Sequence, residues 1–309
     1  MQLPDAFDTF HDCISLGAKA RGKIDSAADG LISYLAQAYG IAQSSVFLQG
    51  SYPNGTAVEP EDKDRGEYDA DLVCICALAG ASADDALDDL EDELAKHGTY
   101  ERLLKQEGSR TKACVSLRYA DDEVGGFHVD IVPTRASASG DPAASLSVPS
   151  RGDGWHDTAP AEYTEWCRQQ GARFERTVKM LKRWREVHQP ARKSIKSIVL
   201  QVLSANSLGQ QASDAEALVA TLEAIQRVLA ASSARAPRVQ NPVLPNEDLA
   251  GSWEAEAYCN FVVELDEAVS LARGHSTPAA SCGRTSCGVN CSARTSRRRL
   301  ATLPGNVPA

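Results

Sequence analysis

Apolar residues recur every three to four positions through the first forty residues: Phe7, Phe10, Ile14 and Leu16, then Ile24, Ala28, Leu31, Leu35 and Ala38. That is the spacing of helix with one buried face. A turn at Tyr39-Gly40 precedes Val46-Phe47-Leu48, a short strand, and a polar loop then runs from Gly50 to Gly66 through SYPNGT and EPEDKDRG. Tyr68 to Leu78 (YDADLVCICAL) reads as a buried strand, with Leu72, Val73, Ile75 and Leu78 supplying its apolar mass. Residues 82–97 set Leu87, Leu90 and Leu94 at helical spacing among seven acids. The pattern predicts an amphipathic helix with its leucines inward and its acids in water, rather than a metal-binding run. Two more strands follow, TKACVSLRY over 111–119 and GFHVDIV over 126–132.

Between Arg135 and Asp157 the chain is rich in Ser, Gly, Ala, Pro and Asp, which predicts a long loop and the domain boundary. Beyond it the pattern turns helical. Phe174, Val178, Leu181, Trp184 and Val187 or His188 mark one face of a helix from about Ala161 to His188, stopped by Pro190. Further helices are expected over 194–208, 214–231 and 253–271, with Pro242 and Pro245 in an intervening loop. The class is α+β: a sheet-containing core with its N-terminal helix over residues 1–150, an all-helical domain over 151–273, and a tail over 274–309. The tail has no acid, no lysine and little periodicity, and reads as disordered.

Composition narrows the function. The 309 residues are 43% hydrophobic and 24% charged, ordinary for a water-soluble globular chain. No apolar run approaches the roughly 18–20 residues that span a bilayer, and the acidic N-terminus lacks the features of a signal peptide. No membrane association and a cytoplasmic location are expected. The net charge of −10 is uneven. The first 269 residues carry 26 basic and 42 acidic side chains, a net of −16, whereas six arginines and no acid follow. An acidic body disfavours an extended nucleic-acid surface, which needs clustered Lys and Arg. Six of nine cysteines are scattered, several in apolar runs, as reduced thiols of a cytoplasmic protein would be. Cys282, Cys287 and Cys291 lack a CxxC pair or an evident fourth ligand, so no zinc site is assigned.

Four features carry the chemistry. Gly50-Ser51 follows a strand and opens the polar loop. Asp69 and Asp71 stand at i and i+2 on the next strand, so both carboxylates share a face. Asp130 lies in a later strand in which Phe127, Val129 and Ile131 face the core, while His128, Asp130 and Val132 face the other way. Three carboxylates brought together repel one another and resist burial. Divalent cations resolve the conflict: two Mg2+ ions (or Mn2+) about 3.5–4 Å apart require such hard oxygen donors. Gly50 would let backbone approach a phosphate, with Ser51 and neighbouring N–H groups donating to it. His128 is read as a neighbour of the cluster and not as a base, and Trp184 as core.

LQGSYPNGTAVEP, EYDADLVCI and GFHVDIVPT together resemble the polymerase-β-like nucleotidyltransferases, and within them the bacterial cGAS/DncV-like nucleotidyltransferases (CD-NTases) of anti-phage CBASS signalling. VKMLKRWREVH, KSIVLQVL and VQNPVLPNEDLAGSW resemble that family's helical half. The resemblance covers roughly residues 40–265. It implies a core with a mixed β-sheet followed by an all-helical domain, a site in the cleft between them, and the joining of nucleoside triphosphates into cyclic di- or trinucleotides. It implies Gly50 and Ser51 as phosphate-binding, Asp69, Asp71 and Asp130 as catalytic metal ligands, and Lys182 and Ser197 as holders of the donor's triphosphate. Lys179, one turn earlier, competes with Lys182. ATP stands first among the expected substrates, with a regulatory partner protein and a downstream effector that recognises the product. The rival readings are a nucleotidyltransferase that modifies RNA, a small molecule or a protein, and a noncatalytic nucleotide-binding module.

Overall fold

The computed structural model describes residues 3–61, 68–77, 80–104, 112–119, 126–188, 190–192, 194–232 and 235–274. Residues 62–66 of the EPEDKDRG stretch, Glu67, Leu78, Thr111 and the tail beyond Gly274, on which the sequence makes predictions, lie outside the described residues.

The chain divides into a sheet unit, residues 15–171 with 242–245, and a helical unit, residues 1–14, 172–241 and 246 onward. In the sheet unit, α2 (Ala18–Tyr39) precedes β1 (Val46–Gln49) and β2 (Tyr68–Ile75). Then come α3 (Ala83–Ala95), α4 (Gly98–Leu104), β3 (Val115–Tyr119), β4 (Phe127–Ala136), β5 (Leu146–Ser150), β6 (Gly154–Thr158) and α5 (Pro160–Gln169). The strands run in the order β1-β2-β4-β5-β6, with β3 paired to β4. β1 is antiparallel to β2, β2 is parallel to β4, and β3 is antiparallel to β4, so the sheet is mixed.

Strand alternation builds the core. Ala70, Leu72, Leu117, Val129 and Ile131 are buried on one face, in one cluster with Ile24, Leu31 and Leu35 of α2 and Leu87, Leu90 and Leu94 of α3. α3 begins where Ser82 accepts from the Asp85 amide (3.1 Å), and Asp84 and Asp85 in its first turn suit the positive end of the helix dipole. The leucines of the acidic segment do face inward, as the pattern predicted.

In the helical unit, α1 (Leu3–Ile14) joins α6 (Ala172–Val187), α7 (Ser197–Ser207), α8 (Asp214–Ala230) and α9 (Ala255–Ala272). Arg176 of α6 pairs with Asp8 of α1 and with Asp214 at the start of α8. Phe174, Leu181, Ile225, Phe261 and Leu265 are buried there.

Three expectations change. The stretch from 135 to 157 is not a loop: β4 runs on to Ala136, and β5 and β6 form a hairpin. A division at residue 150 would cut that hairpin; it falls instead after Ile14 and after Gly171, and α1 belongs with the helices rather than the core. The single helix expected from Ala161 to His188 is two, α5 and α6, because Gly171 sits at φ +81°, outside helical space. No described helix is long and apolar enough to cross a membrane.

Candidate active site

On the sheet face opposite the core, the rows at Asp69 and Asp71 are polar and the buried Val73 and Val132 lie beyond them; register decides what meets there. Asp71 of β2 is the direct partner of Asp130 on parallel β4, and Asp69 is the partner of His128. On the outer side of β4, Ser116 is the partner of Asp130 and Arg118 of His128. On the far side of β2, Gln49 is the partner of Asp71. Gln49, Asp71, Asp130 and Ser116 therefore form one row across four strands, and Asp69, His128 and Arg118 form the next. Neighbouring strands lie about 4.8 Å apart, which brings the side chains of one row within mutual reach.

Exposure falls across the rows. Asp69 is exposed, Asp71 and Asp130 are half-buried, and Ser116 is buried. The Ser116 hydroxyl donates to Asp130 Oδ1, and His128 Nε2 stands 3.9 Å from Asp130 Oδ2. Cys114 Sγ is 3.9 Å from Ser116 Oγ.

Gly50 follows β1 at φ +79°, a conformation that side chains other than glycine's rarely adopt. A Cβ built there would overlap Asp71 Oδ2. The carboxylate thus lies directly over the glycine, and this close approach requires a residue without a side chain. The carbonyls of Gly50 and Ser51 accept from the amides of Asn54 (3.3 Å) and Thr56 (2.9 Å), which closes the loop on itself. Tyr52 anchors it by donating to Asp25 of α2 (2.6 Å), and burial together with that carboxylate pushes the phenol up to about 12. Further on, buried Glu59 accepts from Tyr68 Oη (2.8 Å).

Among the described residues, no three His, Cys, Asp or Glu side chains converge into a ready-made cation cage. Asp69, Asp71 and Asp130 do not form one. Their chemistry nevertheless fits a hard divalent cation: three carboxylates on two adjoining strands, all on one face, with glycine beneath one of them.

Lys182 and Ser197 belong to the helical unit. Lys182 is buried on α6, and Ser197 opens α7. The buried Arg185 of α6 links the two helices, donating to Ile195 O (2.9 Å) and to Ser197 Oγ (3.2 Å). Desolvation holds its guanidinium below the ordinary arginine range. Lys179 lies near His11 of α1, whose pKa it helps to lower. Trp184, expected in the core, is half-buried and packs edge-on against the buried Phe261, with ring centroids 5.8 Å apart. Ser116 and Arg185 escaped the sequence reading. The alternation of VSLRY does put Ser116 on the polar face, but Arg185 carries no comparable signal.

Residues 1–171 match the family model described as Second Messenger Oligonucleotide or Dinucleotide Synthetase domain. The match ends where the sheet unit ends. Among solved structures, the chain is similar to the Bradyrhizobium diazoefficiens CD-NTase CdnG in complex with GTP, with a TM-score of 0.68, 17% identity, and 88% of this chain and 92% of that one covered. It is also similar to E. coli MS115-1 CdnC with ATP (TM-score 0.66, 17% identity, 88% and 91% covered), a protein also solved in complex with HORMA-deltaN. Vibrio cholerae DncV cyclic AMP-GMP synthase gives a TM-score of 0.63 at 12% identity, with 87% and 89% covered. At such identities these likenesses speak for the fold. No curated protein matches the sequence.

Proposed function

This chain belongs to the Second Messenger Oligonucleotide or Dinucleotide Synthetase domain family, and on that premise we propose that it joins nucleoside triphosphates into a cyclic di- or trinucleotide that serves anti-phage (CBASS) signalling. The observation that carries the reading is the register of Asp71 against Asp130 on parallel strands, with Asp69 on the same face and Gly50 beneath Asp71.

In this reading Asp69, Asp71 and Asp130 offer hard oxygen donors to Mg2+ or Mn2+. Such ions, when bound, neutralise triphosphate charge and make a ribose hydroxyl more acidic. Gly50 keeps clear the space that the Asp71 carboxylate needs, and Ser51 donates to a phosphate oxygen from a loop fixed by its own hydrogen bonds. Lys182 and Ser197 are assigned to the triphosphate on the resemblance of their segments. The ribose hydroxyl of one nucleotide attacks the α-phosphorus of another in line. A new O–P bond forms, the bond to pyrophosphate breaks, and the hydroxyl proton passes to solvent. Positioning and fixed charge supply most of the acceleration. A second round between the two ends of the linear product closes the ring. CdnC's complex with HORMA-deltaN supports a protein regulator here too, and an effector would read the product.

The test is incubation of purified protein with Mg2+ and four labelled nucleoside triphosphates, then phosphatase treatment and chromatography. The expected result is a phosphatase-resistant product that the Asp69→Asn/Asp71→Asn variant does not make. Omitting each nucleotide in turn names the bases. Absence of product, together with nucleotide binding indifferent to Mg2+ and to those aspartates, overturns the proposal.

A further inference from the structure

We infer that Ser116 is a positioning residue of the synthetase site, holding Asp130 in the orientation from which it serves a divalent cation; this rests on the function proposed above. Asp71 and Asp130 are direct register partners, and like charges placed so destabilise a sheet by their repulsion. Repulsion from Asp71 turns the Asp130 carboxylate toward β3 without fixing its orientation. Ser116, on that side, selects one orientation. Its position on β3 is the register partner of Asp130, and its hydroxyl donates to Oδ1. A hydrogen bond to an ionised carboxylate is among the stronger ones. It withdraws charge from Oδ1 and pins the carboxylate on its β3 side, leaving Oδ2, 3.9 Å from His128 Nε2, as the oxygen not held by that bond.

The surroundings explain why the hydroxyl holds its aim. Ser116 is 7% exposed, between Val115 and Leu117, which point to the core. A buried hydroxyl needs a partner, and its single proton is committed to Asp130. Cys114 Sγ lies 3.9 Å from Ser116 Oγ. Groups that hydrogen-bond a metal ligand from behind typically change metal affinity or activity by about 10–100-fold when removed.

The experiment titrates Mn2+ into the full chain by electron paramagnetic resonance, alone and with non-hydrolysable ATP or GTP analogues, for wild type, Ser116→Ala, Ser116→Thr and Asp71→Asn. Metal-free melting of each variant runs alongside. Ser116→Ala is expected to weaken Mn2+ binding about 10–100-fold while its metal-free melting stays near wild type. Ser116→Thr, which keeps the hydroxyl, is expected to restore binding to within about threefold on the same argument. In synthesis assays the Mg2+ needed for half-maximal rate rises by the same factor as the Mn2+ dissociation constant, and excess Mg2+ rescues the rate. If Ser116→Ala fails to fold, Ser116→Cys keeps the volume with a much weaker donor and carries the same expectation. Wild-type Mn2+ affinity in Ser116→Ala, with binding lost in Asp71→Asn, overturns the role of Ser116 and leaves the synthetase reading standing. Mn2+ binding that ignores Asp71→Asn removes the metal-site reading itself, and the Ser116 proposal with it.

Discussion

The two faces of the central sheet are made by the same strands and obey different rules. Ile131 is wholly buried in a cluster contributed by α2, α3, α4 and four strands, while its neighbour Asp130 is half-buried beside the polar side chains of Ser116 and His128. On the core face, what matters is volume and the absence of polar atoms, so Leu72, Val129 and Ile131 are apolar residues of similar kind. On the other face, each residue is fixed by charge and by the partner it meets across the ladder. Burial is concentrated on one face and the proposed chemistry lies on the other, one residue apart along each strand.

The sharpest way to break that comparison is to mutate adjacent positions of β4. Ile131→Ala is expected to destabilise the protein by about 2–5 kcal/mol in a denaturant titration. Asp130→Asn is expected to leave stability within about 1 kcal/mol of wild type, since it relieves cross-strand repulsion, and to abolish synthesis. Loss of folding in Asp130→Asn would mean that the polar face also holds the sheet together. Gly50→Ala gives a smaller, mixed effect. Its backbone conformation costs a substituted residue about 1–2 kcal/mol, and the new methyl displaces the Asp71 carboxylate. Synthesis is expected to fall more than about tenfold while melting shifts only modestly. Full activity in Gly50→Ala would refute the close approach.

The smallest effect lies away from the sheet, at a half-buried ionisable group outside the candidate site. His11 of α1 has its pKa held below the ordinary 6.5 by burial first, then by Arg176 and Lys179. The unfolded chain therefore takes up the proton more readily than the folded one. Its contribution to stability is present above about pH 6.5 and is lost as pH falls through the lowered folded value. Thermal melting followed from about pH 8 to about pH 5 is expected to show a shallower acid-side decline in His11→Gln. An unchanged slope would assign that decline to other groups.

How much was legible in the sequence follows from the same contrast. Alternation over YDADLV and FHVDIV put the aspartates on one face and the core on the other, and register made two of them partners. The relation of Ser116 to Asp130 was hidden, because nothing local sets the pairing of β3 with β4. β5 and β6 were missed because LSVPS and GWHDT carry little strand propensity. Tertiary contacts support them instead: Trp155 donates to Ala81 O (3.0 Å), and Arg135 stacks 4.1 Å above the Trp155 ring. Helical periodicity ran through Gly171 without a break, so only the backbone angle reveals where α5 stops. The placement of α1 depends on Arg176, whose partner Asp8 is 168 residues away.

That last separation has a consequence for how the molecule is made. α1 is made well before the residue that pairs with it: Arg176, which pairs with Asp8, is synthesised 168 residues later. At about 5–20 residues per second, the delay is roughly 8–34 s. A helix of 12 residues is marginal on its own in water, so α1 waits unstructured with its apolar face in solvent. During that interval residues 15–171 are made, and by its end they are complete and free to fold. α1 is thus made before the sheet and placed after it, and α1, rather than the sheet, is where a nascent chain of this protein is most open to proteases and chaperones.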